Sequence, residues 1–117
     1  MPVTKAITSI LLVGIALFNT AYAAETATSW GQITSLTSDR NQGRLQITTT
    51  TDFYDVGCSN TKGNQYSTDP TAPNAKLLQN LISQAFFSAN QVQLILDGCY
   101  KGVPRIVNVY IMSITVK

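Results

Sequence analysis

Residues 74–111, NAKLLQNLISQAFFSANQVQLILDGCYKGVPRIVNVYI, switch hydrophobic period part-way along, and that switch decides the fold class. Leu78, Leu81, Ile82, Ala85, Phe86 and Ala89 recur at i, i+3, i+4, i+7, i+8 and i+11, one continuous stripe on a helix. Asn74 or Thr71 can cap its start, and Asn90 tolerates the left-handed turn that would end it. From Gln91 the period drops to two, which predicts a strand with Val92, Leu94 and Leu96 facing inward. Asp97-Gly98 interrupts the alternation before Cys99, and Tyr100 to Gly102 turns the chain. Val103 to Val116 then reads as a long β-branched strand with Pro104 at an end or edge position. On strict alternation Ile106, Asn108, Tyr110, Met112, Ile114 and Val116 share one face, with Tyr110 in the core. Val107, Val109 and Ile111 form the other. Both faces are apolar, so exposure of the Val107 face would imply a partner.

Working toward the N-terminus, Trp30 to Ser38 (WGQITSLTS) reads as a first strand, with Trp30 at the mouth of the fold. Asp39 to Gly43 is a turn cluster, and Arg44 to Thr51 (RLQITTTT) alternates cleanly, so the two runs predict a hairpin. Phe53 to Cys58 reads as a short third strand. Ser59 to Pro73 is polar loop, long enough to hold an extra short strand around Gln65 to Ser67. Residues 24–29 read as a flexible lead. The resulting order is β-β-β-α-β-β. A mainly β domain with one α-helix in that order is an OB-like five-stranded barrel whose end the helix plugs.

The chain begins with Lys5, an uncharged apolar run from Ala6 to Phe18, and Ala21-Tyr22-Ala23 before Ala24. This predicts a secretory signal peptide over residues 1–23, cleaved between Ala23 and Ala24, with a single domain over residues 24–117. The apolar run is well short of the roughly 20 residues a membrane span needs. The protein is therefore expected to be secreted, to the periplasm or beyond. In an oxidising compartment Cys58 and Cys99 most simply pair with each other; free thiols or an intermolecular bridge are the alternatives.

Eight basic residues stand against six acidic ones, scattered singly, which argues against nucleic acid or an anionic membrane as partner. The chain has no histidine, which removes Ser-His-Asp, Cys-His and imidazole-metal chemistry. Asp52 and Asp55 are the one close carboxylate pair, and turn chemistry accounts for them. There is no Gly-rich phosphate loop and no Asp-x-Asp calcium spacing, so the expectation is a non-enzymatic protein without cofactor or metal. Recognition then falls to aromatics with a flat apolar face and a polar tip: Trp30, Tyr54, Tyr66, Tyr100 and Tyr110. Tyr66 and Tyr100 lie in expected loops. Ser29, Trp30, Tyr66 and Tyr100 are the candidate ligand-binding residues.

The block from Ala75 to Ile111, with its helix KLLQNLISQAFFSAN, strand QVQLIL, Asp97-Gly98-Cys99 turn and strand PRIVNVYI, resembles small exported bacterial proteins of uncharacterised function. Gly31-Gln32-Ile33, Cys58 and Cys99 sit in the matching places. More distantly, the layout resembles the B subunits of subtilase-cytotoxin-type and typhoid-type toxins, OB barrels that form pentameric rings and bind sialylated glycans. That resemblance implies a glycan- or cell-surface-binding module and a pentameric homo-oligomer. Those subunits carry their disulfide earlier in the chain, and their glycan-contacting serine precedes the first strand's glycine, where this chain has Trp30; Ser29 is one place off. The alternative expectation is a monomeric periplasmic structural or inhibitor-like protein that presents the Tyr66 and Tyr100 loops to a protein partner.

Overall fold

In the β2 (Gly31–Asp39) and β3 (Arg44–Thr49) hairpin, the two strands pair antiparallel from Ile33↔Thr49 to Asp39↔Arg44, as their alternation predicts. Gly43 takes φ +67 at the turn, which brings its N–H to the Asp39 carbonyl at 2.7 Å. Asp39 Oδ1 meanwhile accepts the Asn41 N–H at 3.0 Å. These coordinates, a computed structural model, describe residues 25–113; the signal-peptide reading, the Ala23–Ala24 cleavage site, Ile114 and Val116 lie outside them.

The apolar stripe forms helix α1 (Ala75–Phe87), which buries Ala75, Leu78, Ile82 and Ala85. Both of its ends differ from expectation. Asn74 occupies the cap position without a capping bond, because its Nδ2 donates instead to the Val107 carbonyl at 3.4 Å. The left-handed residue is Ala89 (φ 55), not Asn90, since the Asn90 N–H closes back on the Ala85 carbonyl at 3.0 Å in a Schellman-type cap.

β5 (Gln91–Tyr100) and β6 (Val103–Met112) pair antiparallel from Gln91↔Met112 to Tyr100↔Val103, with Val92, Leu94 and Leu96 buried as expected. Strict alternation in β6 is overturned. Ile95 faces Asn108 while Leu96 faces Ile106, so Val107 is an extra residue on β6. Such a bulge shifts the side-chain phase by one. Ile106 and Val109 are consequently both buried, and Tyr110 and Met112 are exposed.

Two further expectations change. The lead contains β1 (Thr26–Ala27), paired with Leu96 and Ile95 of β5. Phe53 to Cys58 is not a strand, because Asp55 Oδ1 accepts the Gly57 N–H at 2.9 Å and turns the chain there. The strand that follows β3 is β4 (Tyr66–Ser67), the short one anticipated inside the loop. The sheet runs β1-β5-β2-β3-β4-β6 and closes into a ring through β5–β6, with a parallel β4–β6 contact at Ser67↔Arg105. The described fold is thus mainly β, six strands and one helix, around a core that includes Ile33, Ile47, Tyr66, Ile82, Leu94 and Ile106. Cys58 and Cys99 form a disulfide with Cα atoms 5.8 Å apart. No helix among the described residues is long and apolar enough to cross a membrane.

Candidate recognition face

Thr28 donates its N–H to the Leu94 carbonyl at 2.9 Å and accepts the Leu94 N–H on its hydroxyl at 3.0 Å, continuing the β1–β5 register. Beyond it, Gly31 pairs with Val92. Two residues, Ser29 and Trp30, therefore stand opposite the single residue Gln93, a bulge that pushes both out of the ladder. Gly31 is fixed by space: a Cβ there would lie 2.5 Å from Thr51 Cγ2 and 2.6 Å from Thr50 Oγ1. A larger residue there would force the Thr50 and Thr51 side chains to move.

Ser29 Oγ lies 3.1 Å from the Tyr54 hydroxyl. The Tyr54 backbone is in turn held from below, its N–H donating to the Tyr66 hydroxyl at 2.8 Å while the Phe53 ring stacks on Tyr66 at 5.2 Å. Tyr66 is 1% exposed, so the expectation of an exposed loop tyrosine is wrong. Ile47↔Tyr66 pairing draws the ring into the core. Burial raises the Tyr66 phenol pKa, opposed by the bond from Tyr54 N–H.

The register extends the site across the sheet. Trp30, in the bend just before β2, precedes the Gly31↔Val92 pair and so lies on the Gln93 side of β5, whose other neighbour is Tyr110 of β6; Gln32, Gln91 and Met112 form the next row. Trp30, Tyr110 and Met112 are 39%, 50% and 46% exposed. Tyr110 was expected in the core and reaches this surface because of the Val107 bulge. A third row is Ala27, Ile95 and Asn108, and none of the residues in these three rows carries a charged side chain. Its amide-bearing positions were visible in QVQLIL, where Gln91 and Gln93 alternate with buried aliphatic residues.

Tyr100 belongs elsewhere. At the β5–β6 turn its ring lies 5.7 Å from both Arg44 Cζ and Lys101 Nζ. Arg44 Nη1 donates at 3.5 Å to Ser67 Oγ and to the Tyr100 carbonyl, and its Nε is 3.7 Å from Asp39 Oδ2. With the Arg44 side chain only 11% exposed, this cluster ties β3 to the end of β5. Of the four candidates, Ser29 and Trp30 share a site, Tyr66 supports it from beneath, and Tyr100 is separate.

Asp55 is committed to its turn, Asp52 is exposed, and Asp69 accepts from Thr71 N at 2.9 Å, Thr71 Oγ1 at 2.6 Å and Arg105 Nη1 at 3.4 Å. Among the described residues no three carboxylate, cysteine or histidine side chains gather as a metal site. The arrangement offers surface contact: aromatic faces, hydroxyls and amides on a rigid sheet. Compared with known proteins, the chain matches no family model, no curated protein and no solved structure.

Proposed function

We propose that the protein is an exported, non-enzymatic recognition module of OB type that binds glycan-bearing surfaces through the Trp30 face. β1 and β2 line the same edge of β5 on either side of the Ser29–Trp30 bulge. Counted as one bulged strand they leave five, with α1 between the third and the fourth, which supports the OB reading. The Cys58–Cys99 disulfide supports an oxidising, non-cytoplasmic location. The observation that carries the function is the exposed Trp30 side chain, an apolar plate next along the chain from Ser29, whose hydroxyl meets that of Tyr54. The resemblance to toxin B subunits points the same way and adds a pentameric ring to the proposal.

Trp30 is the chain's single tryptophan, so its fluorescence reports directly on the site. A glycan array probed with the mature protein should give signal that Trp30→Ala abolishes, and the bound glycans should shift Trp30 emission in titration. Light scattering separates a ring from a monomer. A strictly monomeric protein that binds no glycan and captures a stoichiometric protein partner would favour the inhibitor-like alternative. The exposed Phe87 and Leu77 on α1 are the observation on that side.

A further inference from the structure

Taking the glycan-binding reading as its basis, we infer that the ligand of this face is a neutral, extended glycan running across the strands, with alternate sugar rings on Trp30 and Tyr110. These two residues lie two strand spacings apart, about 10 Å. Gln93 sits between them. A flat β-1,4-linked chain covers such a distance in two sugar units, and its alternate rings present the same face. One sugar stacks on the indole, the next lies over Gln93, and the third reaches the phenol ring.

Charge sets the class. The groups between and beside the rings are the amides of Gln32, Gln91, Gln93 and Asn108, a group that both donates and accepts as a sugar hydroxyl does, with Asn108 Oδ1 already accepting the Val109 N–H at 2.9 Å. Among the described residues, these rows hold no cation to pair with a carboxylate, sulfate or phosphate. Arg105 is engaged near the β5–β6 turn, its Nε donating to the Asp97 carbonyl at 2.9 Å and its Nη1 to Asp69 Oδ2 at 3.4 Å. Arg44 and Lys101 belong to the Tyr100 cluster.

The amides are also oriented in advance. Gln93 Nε2 donates to the Thr28 carbonyl at 3.0 Å, and Gln32 Nε2 donates to the Ala89 carbonyl at 2.8 Å. Each amide is thereby turned with its Oε1 left to accept from a sugar hydroxyl, which lowers the ordering cost of binding. Met112, in the row beside them, adds an apolar contact for the sugar's CH edges.

The test is a titration of the mature protein, followed by Trp30 fluorescence and calorimetry, with cellohexaose and chitohexaose as neutral chains and sialyllactose as the anionic arm. A neutral hexasaccharide should quench or shift Trp30 emission, with an affinity unchanged between low and high salt because no charge pairing contributes. Tyr110→Ala should weaken it about tenfold, the upper range for loss of one aromatic contact. Phe87→Ala on the helix, outside the face, should bind like the parent. Binding of sialyllactose alone, marked salt sensitivity, or full affinity in a folded Tyr110→Ala would overturn the inference while leaving glycan recognition standing. A glycan array silent for every sugar would remove both.

Discussion

Between Gln91 and Met112 the chain is held by its backbone, with β5 and β6 paired along nearly their whole length. Between Thr50 and Asn74 the one strand is Tyr66–Ser67, and side chains do the holding: the Cys58–Cys99 bridge, the Tyr66 hydroxyl under Tyr54, and Asp69 gathering Thr71 and Arg105. A ladder fixes positions whatever its outer side chains are, so its solvent face is free to carry the exposed Tyr110 and Met112 and the amide of Gln93. A segment pinned at a few points depends on each pin. Single substitutions should therefore matter far more in the second region than in the first, and that expectation can be attacked directly.

The largest effect should come from the bridge. Replacing both Cys58 and Cys99 by alanine opens a loop spanning 41 residues. The cost should be about 3 to 4 kcal/mol on the chain-entropy model, read as a lower urea midpoint. Hydrogen exchange should accelerate mainly over residues 50–65 while the β5–β6 amides stay protected relative to global unfolding. Uniform loosening of both regions would break the contrast.

Tyr66→Phe comes next, because it keeps the ring stacked on Phe53 and removes only the acceptor for the Tyr54 N–H. A loss of about 1 to 2 kcal/mol is expected, the cost of an amide left without its partner. The same change on the ladder, Tyr110→Phe, should stay within about 0.5 kcal/mol, since it alters an exposed side chain. Equal destabilisation by the two would show that Tyr54 is not suspended from Tyr66 in the way proposed.

The contrast also explains what the sequence alone could reveal. The helix was legible because six apolar positions obey one period, and β5 because each inward residue is aliphatic while Gln91 and Gln93 alternate with them. The Cys58–Cys99 pairing followed from there being two cysteines in a chain read as exported. The bulge was hidden, since Ile106-Val107-Asn108-Val109 alternates plausibly in either phase, and that concealed Tyr110 as a surface residue. In the pinned segment local patterns misled. Phe53, Tyr54 and Val56 have strand propensity, yet the Asp55–Gly57 turn wins, and Tyr66 is buried by contacts from distant residues although its neighbours Gln65, Ser67 and Thr68 are polar. Of the face proposed for recognition, Ser29 and Trp30 were candidates in the sequence, while the exposure of Tyr110 on β6 was not legible there.

The smallest effect within the pinned segment should appear at the last pin, and it depends on pH. The bonds from the Thr71 side chain, more than the Thr71 amide or Arg105, hold the Asp69 carboxyl below its ordinary pKa, against the opposing effect of burial. An unfolded chain has no such partners, so there Asp69 titrates near about 3.9. The folded state binds the proton less readily, which means the contribution of Asp69 is complete well above that value and is lost as pH falls through the lowered folded pKa. Asp69→Asn keeps an acceptor for Thr71 but gives up the charge facing Arg105, and should cost about 1 kcal/mol at neutral pH. The gap between parent and variant should begin to narrow near about pH 4, where the unfolded chain takes up the proton, and should close only below the lowered folded pKa, where the native parent is protonated too. Urea midpoints measured from pH 6 down to pH 2 provide the check: parallel curves with a constant gap would mean that Asp69 holds this segment through shape alone, and the ladder would then differ from the pinned region in geometry without differing in its sensitivity to charge.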